Sequence, residues 1–170
     1  MSLPDLRIGL LDDGHDRTSF SSGVADLDRY LHTQAKQDLR RKANAVFVLS
    51  ADDAPNRILG YYTLCALAVA QGDVPPAARK HVPRYPLVSA TLIGRLAVDR
   101  DAQGRGLGSI LVADALQRAY ASAGTVGSSM IVVDALNDAI VSFYEAYGFV
   151  RLPESLRLIL PMVLASKVAP

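Results

Sequence analysis

Tryptophan is absent from the 170 residues, and aromatic residues make up only 6%. The core must therefore be aliphatic, built from Leu, Val, Ile and Ala. Cysteine occurs once, as Cys65, which excludes an internal disulfide and a cysteine zinc cluster. A lone thiol in an apolar run, with no basic partner near it in sequence, reads as a buried structural residue and suits a reducing compartment. His15, His32 and His81 lack metal-like spacing. They read as surface or loop residues, and no metal is expected. Charge of one sign is also missing. The 18 Lys and Arg against 17 Asp and Glu leave a net charge of +1, which excludes a wholly basic nucleic-acid-binding surface but not a local patch. The apolar stretches Tyr61–Ala70 and Val150–Val168 are interrupted or too short to cross a bilayer. Asp5 and Arg7 stand where a secretory leader needs apolar residues, so no membrane association and a cytoplasmic location are expected. A chain that is 50% hydrophobic and 21% charged is globular, and its length predicts one domain over residues 1–170.

What is present is a strand and helix pattern. Leu6, Ile8 and Leu10 alternate as in a strand. Ser21 or Ser22 is a candidate cap for a following helix, with Asp26 and Asp28 near its positive end. Leu27, Tyr30, Leu31, Ala35 and Leu39 recur at helical steps within residues 24–42, fitting one long helix or two short ones. Val46–Leu49 and Ile58–Ala70, joined by a turn holding Asp52, Asp53, Pro55 and Asn56, predict an antiparallel hairpin. Residues 71–89 carry four prolines and several bases and read as the longest irregular stretch. Strands are expected at Ala90–Val98, Met130–Val133, Phe149–Val150 and Leu156–Val163. Helices are expected from about Leu107 to Ala119 and up to Tyr147, the latter capped by Asp134 or Asn137 and ended by Gly148. The fold class is α/β (α+β), a mixed sheet with helices on its faces.

The most informative stretch is LIGRLAVDRDAQGRGLGSIL, Leu92 to Leu111. A strand runs into a loop with Gly104, Gly106 and Gly108, and a helix follows. Unpaired amides at a helix start, approached without side chains in the way, suit a pyrophosphate. No Lys follows the last Gly, so this is not a P-loop, and the glycine spacing is not that of a Rossmann turn. Further on stand Asn137 and Phe143-Tyr144-Glu145-Ala146-Tyr147-Gly148-Phe149.

These two motifs resemble those of the GNAT acetyltransferases. The acetyl-coenzyme A motif Q/R-x-x-G-x-G/A is met by Gln103, Gly106 and Gly108, and the later Asn, Tyr and Gly-Phe by Asn137, Tyr144 and Gly148-Phe149. The resemblance implies acetyl-CoA as cofactor. Backbone groups of Leu96, Ala97 and Val98 would meet its pantetheine arm. The loop amides of Gly104, Arg105, Gly106, Leu107, Gly108 and Ser109 would hold its pyrophosphate, and Gln103 and Asn137 would be further cofactor-binding residues. The parallel strands 92–98 and 129–134 would part to form the thioester slot.

Acetyl transfer to an amine needs a proton for the departing thiolate. A phenol, with a pKa of about 10, stays protonated at neutral pH and can supply it. Tyr144 aligns with the family's acid, while Phe143 reads as core and Tyr147 as packing. No general base is evident, since Glu145 falls on the wrong side of its helix. Lysine (about 10.4) would need one, whereas an α-amine (about 7.7–8.0) is already partly neutral. The missing base thus leans toward an α-amine acceptor.

Further matches run through nearly the whole chain: F-x-S-G-V-x-x-L-D-x-Y-L (Phe20 to Leu31), G-Y-Y-T-L (Gly60 to Leu64), P-R-Y-P (Pro83 to Pro86), L-x-G-R-L-A-V-D (Leu92 to Asp99) and V-D-A-L (Val133 to Leu136). This set is similar to the TacT-like toxins of bacterial toxin–antitoxin pairs. The resemblance implies acetylation of the α-amine of aminoacyl-tRNA, a homodimer, and a ribbon-helix-helix antitoxin through which alone the toxin meets DNA. Lys36, Arg40, Arg41, Lys42, Arg79, Lys80, Arg84 and Arg95 are candidates for a basic rim contacting tRNA phosphates. A small-molecule or peptide N-acetyltransferase on the same fold is the alternative, and a non-catalytic acyl-CoA-binding regulator would not need Tyr144.

Overall fold

A computed structural model describes residues 5–166; residues 1–4 and 167–170, including the end of the Val150–Val168 stretch, lie outside it. The elements are β1 (Leu6–Leu10), α1 (Ala25–Thr33), α2 (Ala35–Arg40), β2 (Ala45–Ala51), β3 (Gly60–Ala70), α3 (Pro76–Arg79), β4 (Leu87–Val98), α4 (Leu107–Ser122), β5 (Met130–Asp134), α5 (Asp138–Glu145), β6 (Val150–Arg151), β7 (Arg157–Pro161) and α6 (Met162–Ala165). The strands are hydrogen-bonded in the order β1-β2-β3-β4-β5-β7-β6, the expected mixed sheet. Among the described residues no helix is long and apolar enough to cross a membrane. The chain divides into two compact units, Met1–Leu64 with Arg95–Val112 and Cys65–Gly94 with Ala113–Pro170.

In the first unit β1, β2 and β3 form an antiparallel meander, with Leu10↔Phe47 and Val48↔Tyr61 in register. The two-residue period of a strand puts Val46, Val48 and Tyr61 on one face, where they join Phe20, Leu27, Tyr30, Leu31 and Ala35 in a buried core that is partly aromatic, not the aliphatic one expected. The helical segment breaks at Gln34 into α1 and α2. The expected serine cap is corrected. Val24 is the N-cap and carries no side-chain cap bond, because Gly23, at φ +90°, turns the chain and leaves Ser22 outside the helix. Ser22 instead donates its N–H and Oγ to Asp28 Oδ1 at 2.8 and 2.6 Å.

In the second unit β4 and β5 pair in parallel from Ala90↔Met130 to Ile93↔Val133, and the ladder ends there. Residues β7 and then β6 extend the sheet antiparallel. Val88, Met130, Val132 and Ile159 form the core with Val69, Val74 and Ala78. The strand expected at Leu156–Val163 is shorter, because Pro161 has no N–H to continue a ladder. Met162–Ala165 form a helical turn instead, and Pro161 is its N-cap. The proline-rich stretch is also more ordered than expected. Gln71–Asp73 is a 3-10 turn, and Pro76 opens α3 at a position where a missing N–H costs nothing.

Candidate active site

The first unit holds the glycine loop. Ala97 is buried and belongs to the core, whereas Leu96 and Val98 are half-buried. Asp99, 6% exposed, accepts hydrogen bonds from Ser21 N–H at 3.0 Å and Asp101 N–H at 3.2 Å and caps the 3-10 turn Arg100–Ala102. Gly104 and Gly106 take φ +81° and +77°, and no atom lies within 4 Å of where a Cβ at Gly104, Gly106 or Gly108 would stand. The loop is thus bare on its outer side. Leu107 is buried and anchors α4. The first hydrogen bond of that helix runs from Ile110 N–H to Gly106 O at 3.3 Å. The amides of Leu107, Gly108 and Ser109 precede it and have no helical carbonyl behind them. A diphosphate fits this cradle. Gln103 directs its side-chain amide elsewhere, to Ser22 O and Val98 O, both at 2.9 Å, and Arg105 donates to Asp101 O at 3.3 Å.

The second unit holds Tyr144 on α5. Asn137 is the N-cap, its Oδ1 accepting from Ile140 N–H at 3.1 Å, so this side chain acts first in starting the helix. Tyr144 is 5% exposed. Its ring meets Phe143 at 5.3 Å and Phe149 at 5.6 Å edge-on, while no hydrogen bond ties its hydroxyl to another described residue. Burial, and then Tyr147, push the phenol above its ordinary range, so it is protonated at neutral pH. Gly148, at φ +96°, ends the helix and leads into buried Phe149. Phe143 is only half-buried, contrary to its reading as core. Tyr147 packs on it at 5.5 Å as expected, and Glu145 is exposed.

Residues 42–151 match the acetyltransferase (GNAT) domain family. The chain belongs to the GNAT acetyltransferases. It is 40% identical over 139 residues to the tRNA-acetylating toxin of Mycobacterium tuberculosis strain H37Rv, covering 82% of this chain and 81% of that protein. It is similar to AtaT solved in complex with acetyl-methionyl-tRNAfMet, with a TM-score of 0.86, 30% identity, and coverage of 96% of this chain and 98% of that one. It is also similar to a tyrosine-to-phenylalanine mutant of the AtaT toxin bound to acetyl-CoA and to the C-terminus of the antitoxin AtaR, with a TM-score of 0.80, 28% identity, and coverage of 96% and 97%.

The basic residues of this acetyltransferase sort by their partners. On α2, Lys36 is exposed and paired with Asp13 at 2.8 Å. Arg40 and Arg41 are exposed beside it. Arg95 is half-buried, its guanidinium 3.6 Å from the centre of the Tyr30 ring, and lines a groove of about 320 Å³ with Tyr30, Arg29 and Asp26. In the second unit Arg79, Lys80 and Arg84 line one groove of about 730 Å³. All three are exposed, and Arg79 donates to the carbonyl of Val74 at 2.9 Å. His32 is no loop residue: it lies on α1, half-buried, with Nε2 2.8 Å from Phe20 O. His15 is also largely covered, with Nδ1 3.2 Å from Asp12 Oδ1. Cys65 is half-buried rather than buried. Among the described residues no group of His, Cys, Asp and Glu could hold a metal. Sequence reasoning placed Asp28 at the start of α1 without its bonds to Ser22 and overlooked Asp99 as an organiser of the loop, for which a carboxylate just past a strand end was the signal available.

Proposed function

We propose that this acetyltransferase moves acetyl from acetyl-CoA onto the α-amine of the amino acid on charged tRNA, as the toxin of a type II toxin–antitoxin pair that blocks translation. The observation that carries this reading is Tyr144, a buried phenol whose ring is held by aromatic neighbours and whose hydroxyl is left free. The relative named for tRNA acetylation and the fold shared with tRNA-bound AtaT supply the acceptor class.

Acetyl-CoA supplies an activated acetyl group on a sulfur that leaves as a thiolate. The amides of Gly104 to Ser109 hold its pyrophosphate, and backbone groups of Leu96 to Val98 orient its pantetheine arm. Tyr144 keeps a proton at Oη and hands it to the thiolate. Glu145, the adjacent acid, is exposed; an α-amine that is partly neutral at pH 7 can attack without a side-chain base, and the proton its nitrogen sheds as the amide forms passes to water or a backbone carbonyl, with the Tyr144 phenolate reprotonated from solvent. Lys36, Arg40, Arg41, Arg79, Lys80, Arg84 and Arg95 contribute to tRNA contact. The capture of AtaT by an antitoxin C-terminus supports a cognate antitoxin here, which we take to be of the ribbon-helix-helix type and to link the toxin to DNA. Residues 1–170 then act as one domain, in a cytoplasmic homodimer.

The test is turnover of acetyl-CoA with charged tRNA against a panel of small amines and peptides. Preferred acetylation of charged tRNA is expected. A small amine turned over far better would favour the small-molecule enzyme, and binding of acetyl-CoA without turnover of any acceptor would favour a regulator.

A further inference from the structure

The motif glutamine engages its side-chain amide within the protein. Gln103 Nε2 donates to Val98 O, where β4 ends, and to Ser22 O, in the segment leading into α1, both at 2.9 Å. Ser22 is 9% exposed, and its peptide and hydroxyl are bound on the other side by Asp28, in the first turn of α1, at 2.8 and 2.6 Å. Two further bonds run beside this path: Arg100 N–H to Ser21 O at 2.7 Å and Ser21 N–H to Asp99 Oδ1 at 3.0 Å. The Arg100 guanidinium lies 3.2 Å from where a Cβ on Gly23 would stand, and Gly23 is at φ +90°. Segment 21–23 is therefore fastened to the base of the glycine loop from several directions, and its other end is the start of α1.

We infer that Gln103 is a positioning residue rather than a ligand-touching one. Through Ser22 and Asp28 it couples the order of the cofactor loop to the start of α1, so that binding coenzyme A stiffens that helix and loosening the helix weakens coenzyme A. The inference rests on the acetyltransferase reading above and adds a role for a side chain that the cofactor motif leaves undefined. The path is a run of contiguous hydrogen bonds within one compact unit, and the coupling it carries is reciprocal.

The experiment measures coenzyme A affinity by calorimetry and amide exchange in α1, with and without coenzyme A. It uses the full-length parent, Gln103→Met, Gln103→Arg, Asp28→Ala and the Gln103→Met/Asp28→Ala pair. In the parent, coenzyme A slows exchange in the first turns of α1. Gln103→Met keeps the length of the side chain and removes its donors. It should weaken coenzyme A by roughly tenfold, within the usual range of coupling between sites, and abolish the slowing in α1 even at saturating ligand. Gln103→Arg restores donors and should recover both. Because both residues act on one path, the loss from Gln103→Met should shrink in the Asp28→Ala background. A merely structural glutamine would lower stability and leave the ligand-dependent exchange in α1 intact. A folded Gln103→Met protein with parental affinity, or with α1 still protected by coenzyme A, overturns the inference while the acetyltransferase reading stands. A parent that binds no coenzyme A overturns both.

Discussion

The guanidinium of Arg95 lies 3.6 Å from the centre of the Tyr30 ring, and the Tyr30 hydroxyl donates to Asp38 Oδ2 at 2.9 Å. Burial, and then Asp38, hold this phenol above its ordinary range, so it stays a donor. A residue that sequence reading placed on a nucleic-acid rim is thus also a packing residue. Arg95→Ala should lower stability by about 0.5–2 kcal/mol through the lost cation–π contact, as measured by denaturant unfolding. An unchanged unfolding midpoint would show that the stack is incidental.

Lys80 and Arg84 are cleaner probes of tRNA contact, being exposed in one groove. Lys80→Glu with Arg84→Glu should raise KM for charged tRNA at least tenfold and leave acetyl-CoA affinity alone. The salt dependence of tRNA binding should lose about one unit of slope per phosphate contact removed. Parental kinetics and slope in the double variant would place the tRNA elsewhere.

Tyr144→Phe keeps the ring contacts with Phe143 and Phe149 and removes the proton. A positioned acid is worth about 10²–10⁴ in rate, so kcat should fall at least a hundredfold while acetyl-CoA binds nearly as before. Retention of more than about a third of parental kcat would mean that the proton comes from elsewhere, since an acid's contribution is far larger.

The same phenol sets a pH expectation. Burial raises its pKa, so the protonated form that the proposed acid role requires persists above the ordinary value of about 10. With an aminoacyl acceptor, kcat/KM should climb as the amine deprotonates near pH 7.7–8.0 or below, with no descending limb before about pH 10. A fall in rate below pH 9 would assign the acid to another group.

Gly106 sits at φ +77° with open space at its Cβ position, so Gly106→Ala meets backbone strain and no clash. The left-handed conformation costs about 1–2 kcal/mol for other residues, equivalent to roughly 5–30-fold in affinity. Calorimetry should find coenzyme A weakened in that range in a folded variant. Undiminished affinity would remove the loop from the cofactor site.

The elements that local pattern governs were legible. The alternation of Leu6, Ile8 and Leu10, the turn residues between β2 and β3, and the glycines after β4 each specify their own neighbourhood. The glycine loop and the Tyr144 helix could be read for the same reason, as each motif is continuous in sequence. What depends on distant partners could not. Ser22 looks like a cap until Gly23 turns the chain and Asp28 reaches back to it. Pro161 cuts a strand that hydrophobicity alone would extend to Val163. A basic residue carries no mark in sequence of whether a carboxylate answers it, as Asp13 answers Lys36, or a ring does, as Tyr30 does Arg95.

Gly148 has the widest consequence for its size. Its φ of +96° is the turn that brings Phe149 back against the Tyr144 ring, although glycine contributes no atom to the chemistry. In a genetic selection for cells that survive expression of this chain, inactive variants should therefore collect at Gly148 as well as at Tyr144. The two classes would look alike on a plate and part only in the test tube, where a Tyr144→Phe protein still melts like the parent and a Gly148 variant does not.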